Sequence, residues 1–280
     1  MSAEQIRREL EAAKKHYELD FLEEWESKLT DASKNKFKSD YCLEKVELPA
    51  LTVANVAKVE AMIRADSKYA PSDEYDNKEY LPYWMRELGK YLGHPNGDEP
   101  KEEFDTVIKK VVERVDVENS THLNADGVGR KEMAERIIDY INQGRLLEYL
   151  KNRDQGFEII GRLSEKTEPE TGSQKRGRRN ISFASKFCHY ACFYIFEGED
   201  AQDNFSIYDS VVAEVLTYYL EYWRITDVNQ RKLKFNEKSK DEYKEYSKAI
   251  NEVIGASGSH ISRNGFDHLL WYYFKDKGKK

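Results

Sequence analysis

The chain has 280 residues, enough to bury a core as one large domain or as two subdomains. Charged residues make up 35% of it, but aromatics reach 12% and include 19 Tyr, which excludes a disordered composition. The net charge of −7 excludes broad electrostatic adhesion to nucleic acid, so a nucleic-acid role requires a local basic surface. With only six Pro and 15 Gly, the composition favours helices over a turn-rich β architecture. Three cysteines, Cys42, Cys188 and Cys192, make no disulfide framework. No secretory pattern opens the sequence and no apolar run approaches the roughly 18–20 residues of a membrane span. The expectation is a cytoplasmic protein with no membrane partner.

In chain order, Ser2-x-x-Gln5 reads as a capping box. Ile6, Leu10, Ala13 and Tyr17, then Phe21, Leu22, Trp25 and Leu29, recur at helical spacing and predict an amphipathic helix or a broken pair. Residues 31–50 are polar, end in Pro49, and predict at most a short extended piece around Val46. Thr52 can cap a helix carrying Val53, Val56, Val59 and Met62. Beyond the Pro71 to Asn77 loop, Leu81, Tyr83, Trp84, Leu88 and Leu92 form a stripe that stops at Gly93-His94-Pro95-Asn96-Gly97. Phe104, Ile108, Val111 and Val112 mark the next helix. Gly127-Val128-Gly129 reads as a plain turn into a helix with Met133, Ile137, Ile138, Ile141, Leu146 and Leu147. Gly156 to Leu163 suggests a short helix, residues 165–180 a polar loop, and four more helices follow at 181–196, 209–223, 236–255 and 264–275. No convincing strand pair occurs, so the class is all-α. Residues 1–120 read as an N-terminal helical region and 121–280 as the region that carries chemistry.

Polarity switches sharply within 175–209. Five cations and no acid lie in 175–186, and five carboxylates and no cation in 197–209. Lys175, Arg176, Arg178 and Arg179 precede a helix that begins near Asn180 or Ser182. Ile181, Ala184, Phe187, Cys188, Ala191, Cys192 and Ile195 give that helix a broad apolar face, while Lys186 shares another face with Ser182, His189, Tyr190 and Phe193. The helix N-terminus, the preceding arginines and partial burial all disfavour an ammonium at Lys186, which suits a nucleophilic amine. The competing reading is a lysine that snorkels to the surface. Asp209 has the position of a helix N-cap, a role compatible with catalysis because capping holds the carboxylate in one rotamer.

Ser182-Phe183-Ala184-Ser185-Lys186, then Ile207-Tyr208-Asp209-Ser210, and Phe266-Asp267-His268-Leu269-Leu270-Trp271 near the end resemble helix-hairpin-helix DNA glycosylases. The nearest subgroup is the 8-oxoguanine-type glycosylases with lyase activity, in a divergent bacterial branch. The resemblance spans about residues 178–275. The hairpin's usual Gly-x-Gly is replaced by Arg179-Asn180-Ile181-Ser182, and the loop 197–204 lengthens the Lys-to-Asp spacing. The resemblance implies two helical subdomains flanking an active-site cleft, and a monomer that flips a damaged or hypermodified base out of double-stranded DNA. It implies Lys186 as the nucleophile at C1′ and Asp209 as the carboxylate that stabilises the cationic sugar. Lys175, Arg176, Arg178, Arg179, Asn180 and Ser182 would hold phosphates, and Asp267, Trp271 and Phe274 would border the base. No cofactor is implied. A non-catalytic helical module that binds DNA or protein is the alternative reading.

Cys188, His189 and Cys192 lie close in sequence, but no second Cys or His pair completes a tetrahedral metal site. Glu197, Glu199, Asp200 and Asp203 lack the register of a calcium loop. Core packing and a solvated linker are the expected roles, with no metal.

Overall fold

The computed structural model describes residues 19–41, 47–65, 77–93, 101–119, 121, 123, 128–165, 180–234, 239–275 and 277. Among them are 12 α-helices and no strand, so the chain is of the all-α class that the patterning predicts. In chain order these are α1 (Trp25–Lys28), α2 (Asp31–Tyr41), α3 (Val53–Ala65), α4 (Leu81–Gly93), α5 (Lys101–Glu118) and α6 (Val128–Asn142). They continue with α7 (Leu146–Lys151), α8 (Arg153–Leu163), α9 (Ile181–Ile195), α10 (Ser210–Tyr222), α11 (Ser239–Ala256) and α12 (Arg263–Phe274). None of these helices is long and apolar enough to cross a membrane. Two compact units form. One contains Met1–Pro71, Asp209–Lys234 and Glu245–Lys280, and the other Ser72–Tyr208 and Phe235–Lys244.

In the first unit, α12 packs on α3 and α10. Gly265 permits the close approach to α3, since a Cβ there would lie 2.8 Å from Val56 Cγ1. Thr52 caps α3 as its sequence predicts, its hydroxyl accepting from Asn55 N–H at 3.1 Å. The buried face of α3 differs from the predicted valine stripe. Val53 is exposed, and Asn55 takes a buried position with Val59 and Ile63. Asn55 tolerates burial because all its polarity is used: Nδ2 donates to the carbonyls of Asp20 and Ala50, and Oδ1 accepts from Asp20 N–H.

The polar run 31–50 contains a full helix, α2, where at most an extended piece was expected; Val46 itself lies outside the described residues. Only Phe37 and Tyr41 of α2 are buried, but they enter an aromatic cluster. Phe37 lies 4.9 Å from the rings of Trp25 and Tyr218 and 6.2 Å from that of Phe274. Polar ties complete the docking. The Glu221 carboxylate accepts from Thr30 N–H and the Ser33 hydroxyl, and the Lys36 ammonium pairs with both Asp40 and Glu214. Tertiary anchoring thus overrides a sequence with little helical stripe of its own. Upstream, Trp25 and Leu29 are buried as expected, but Glu24 adopts a left-handed conformation (φ 50) and shortens α1 to a single turn. The predicted capping box and first helix positions lie at residues 1–18, outside the described part.

In the second unit α9 is central, packing on α4, α5, α7, α8 and the 3₁₀ turn Asp200–Asp203. Helix α5 buries Val107, Ile108, Val111, Val112 and Val115. The run from Met133 to Leu147 is two helices instead of one, because Gly144 (φ 66) ends α6 and α7 starts anew. Gly156 on α8 is required by crowding: a Cβ would lie 2.2 Å from Phe205 Cζ and 2.7 Å from the Tyr149 carbonyl oxygen.

One buried carboxylate near the end of α5 holds three described residues that follow it. Asp116 accepts from the Thr121 hydroxyl at 2.6 Å, Leu123 N–H at 2.8 Å and Arg130 Nε at 2.8 Å. Burial alone would raise its pKa, but the hydrogen bonds from Thr121, Leu123 and Arg130 prevail and hold it below the ordinary carboxylate value.

Phe37→Ala should destabilise the protein by about 3–5 kcal/mol, the range for emptying an aromatic core site, measured by urea unfolding. Asp116→Asn should cost about 1–3 kcal/mol at neutral pH. The wild-type advantage is full above the unfolded-state pKa of about 4 and disappears as pH falls through the depressed native value. Unfolding curves at pH 7 and pH 3 check the sign.

Candidate functional site

Helix α9 is buried along most of its surface because its sequence is apolar on more than one face. Ile181, Phe183, Ala184, Phe187, Cys188, Ala191 and Cys192 are all buried. Asn180 precedes the helix and is buried at 6% exposure. Its N–H donates to the Ser164 carbonyl at 3.3 Å and its Nδ2 to that of Glu165 at 3.4 Å, which ties the start of α9 to the end of α8. Ser182 is half-buried, and its carbonyl accepts from the Ser185 hydroxyl at 3.1 Å. The four basic residues Lys175, Arg176, Arg178 and Arg179 lie outside the described residues.

Lys186 is half-buried, and its Nζ donates to the backbone carbonyl of Asn119 at 2.8 Å. Asn119 follows the last residue of α5, so its carbonyl belongs to a helix C-terminus, where partial negative charge accumulates. One turn further along α9, the Tyr190 hydroxyl donates to Asn119 Oδ1, also at 2.8 Å. Lys186 and Tyr190 share a face, as the i, i+4 spacing predicts, and both converge on Asn119. Sequence reasoning missed Asn119. The only signal was an Asn following a helical run, a common way for a helix to end.

Asp209 is the N-cap of α10, accepting from Val211 N–H at 2.7 Å and from Val212 N–H at 3.4 Å. It opens the α10 segment of the first unit, whereas Lys186 belongs to the second. Within the second unit, the residue before Asp209 is joined to the residue before Lys186. Tyr208 N–H donates to Ser185 Oγ at 3.0 Å, and Ser185 is fully buried. The stretches that hold Lys186 and Asp209 in sequence are therefore tied by a specific hydrogen bond between their preceding residues.

On α12, Asp267 is buried at 3% exposure. Trp271 is half-buried with Lys275 Nζ 4.3 Å from its ring centre. Phe274 is fully buried against Tyr41, with a ring separation of 5.1 Å, and has no face to offer a base. It belongs to the aromatic core.

His189 is buried and stacks on Phe193. Its Nδ1 lies 2.8 Å from the Phe205 carbonyl, which can only accept, so Nδ1 carries the proton. Burial pushes the thiols of Cys188 and Cys192 far up, which leaves both inert as nucleophiles near neutral pH. Among the described residues, no group of three or more His, Cys, Asp and Glu side chains could hold a metal. In the acidic linker, Glu197 pairs with Arg86 at 3.1 Å and Glu199 with Lys151 at 3.5 Å, which fastens it to the surface of its unit. No protein-family model matches the chain, and no curated protein or solved structure is significantly similar to it.

Proposed function

We propose that the chain is a DNA glycosylase with lyase activity, removing a damaged or hypermodified base from double-stranded DNA in repair or in defence against phage DNA. The observation that carries this reading is the Tyr208 N–H to Ser185 Oγ hydrogen bond at 3.0 Å, which joins the Ser-Phe-Ala-Ser-Lys turn to the Ile-Tyr-Asp segment. Two sequence motifs of one resemblance are thereby linked through a fully buried hydroxyl.

In this reading the neutral Lys186 amine attacks C1′ of a flipped nucleotide. The N–C1′ bond forms as the bond from C1′ to the base breaks, and the base leaves with the electron pair and takes up a proton. Asp209 stabilises the positive charge that develops on the sugar and accepts the proton lost from the amine. Opening of the ring at C1′–O4′ gives the imine. Loss of a C2′ proton then expels the 3′ phosphate and cuts the strand. The basic run Lys175 to Arg179, together with Ser182 in the first turn of α9, holds backbone phosphates, whereas Asn180 is buried with its donors committed to the Ser164 and Glu165 carbonyls and is left out of this role. Trp271, half-buried on α12 of the first unit, and Asp267 on the same helix are the groups that the resemblance assigns to the base.

A second reading, a non-catalytic helical module that binds DNA or protein, is favoured by one observation. The Lys186 amine is engaged as a donor to the Asn119 carbonyl, a role that a structural lysine also fills.

Borohydride trapping on abasic duplex DNA separates the readings. The wild-type chain should form a covalent adduct, and Lys186→Ala should abolish it. Asp209→Asn, which keeps a good helix cap, should slow base release from duplex DNA that still carries the modified base by 100-fold or more, a rough expectation for loss of a charge that stabilises the transition state. An adduct that persists in Lys186→Ala places the nucleophile elsewhere. No adduct from the wild-type chain, with salt-dependent DNA binding intact, supports the non-catalytic DNA-binding module, and loss of both supports a protein-interaction role.

A further inference from the structure

We infer that Tyr190, acting through Asn119, is a positioning residue for the Lys186 amine; this rests on the glycosylase reading above. Lysine reaches its amine through four rotatable bonds, so an unrestrained Nζ spreads over many positions and loses rate by misplacement. Here Nζ is bonded to the Asn119 carbonyl at 2.8 Å, and the same residue is gripped through its side chain by the Tyr190 hydroxyl at 2.8 Å. Both donors stand one turn apart on α9, whose own position is set by packing on four helices.

Asn119 is restrained from its other side as well. It directly follows α5, and two residues later the chain is bound at Thr121 to the buried Asp116 carboxylate, which also holds Leu123 and Arg130. Asn119 therefore has little freedom to carry the amine with it. A backbone carbonyl cannot take up a proton from an amine, so this partner orients the nitrogen and leaves deprotonation to a carboxylate. Accepting one N–H directs the lone pair of a neutral amine away from the carbonyl. The contact that a structural lysine would make becomes, in the catalytic reading, the device that fixes where the nucleophile stands.

The test is single-turnover adduct formation and DNA affinity, measured for the full chain. The variants are Tyr190→Phe, Asn119→Ala and the two combined. Tyr190→Phe removes one oxygen and keeps the ring, and Asn119→Ala leaves the backbone carbonyl in place. Each single variant should slow adduct formation about tenfold with the DNA dissociation constant unchanged, and the double variant should be no slower than either, because one device has been broken. Full wild-type rates in the single variants overturn the positioning role while leaving Lys186 as the nucleophile. Losses that multiply in the double variant, or that follow DNA affinity or melting temperature instead of rate, overturn it equally. A wild-type chain that forms no adduct removes the glycosylase reading and the positioning role with it.

Discussion

Burying α9 imposes a constraint that much of the second unit answers: polar groups carried into the interior require partners. An unpaired buried donor or acceptor costs about 1–3 kcal/mol, comparable to the effect of many single mutations. Ser185, Lys186, His189 and Tyr190 all sit on this largely apolar helix, and each is matched to a distant group. Ser185 meets Tyr208, Lys186 and Tyr190 meet Asn119, and His189 meets the Phe205 carbonyl. These bonds bring two separate stretches of chain, around Asn119 and at 205–208, to one helix. Polar pairing thus specifies which loops lie beside α9, a selection that apolar packing alone would leave loose.

The same constraint separates reactive from inert groups. Cys188 and Cys192 lie on the buried face, and desolvation keeps them protonated. His189 is committed to a carbonyl. Lys186 is half-buried with its amine on a helix C-terminus, and Asp209 is half-buried and capped onto α10. Both candidate catalytic groups thus combine restraint with partial access, which is what preorganised chemistry needs. In the aromatic cluster of the first unit, by contrast, burial serves packing. Phe274 is absorbed by the ring cluster that receives Phe37 and Tyr41, and Tyr218 joins it with its phenol pushed up to about 12 by burial.

Much of the site was legible because it is local in sequence. The apolar face of α9, the shared face of Lys186 and Tyr190, and Asp209 as a helix cap follow from spacings of a few residues, and the structure places each of these local features as the spacing implies. Asn119 was not legible, since it lies 67 residues from Lys186. No periodicity connects two such positions, and a lone Asn after a helix is ordinary. Nor did the polar run 31–50 announce α2, because its stability comes from Glu214, Glu221 and Phe274, all far along the chain.

By itself the sequence determined the all-α class, most helix positions, and the segments that carry candidate chemistry, because these depend on hydrophobic period, capping residues and glycine breaks within a few turns. The tertiary structure alone decided that Asn55 is core and Val53 exposed, that Phe274 packs instead of facing a base, and that Lys186 and Tyr190 share a partner at the end of α5. Each of those outcomes depends on which distant segment arrives to satisfy or cover a side chain. Local pattern identifies a face of a helix, and only the fold supplies its partner.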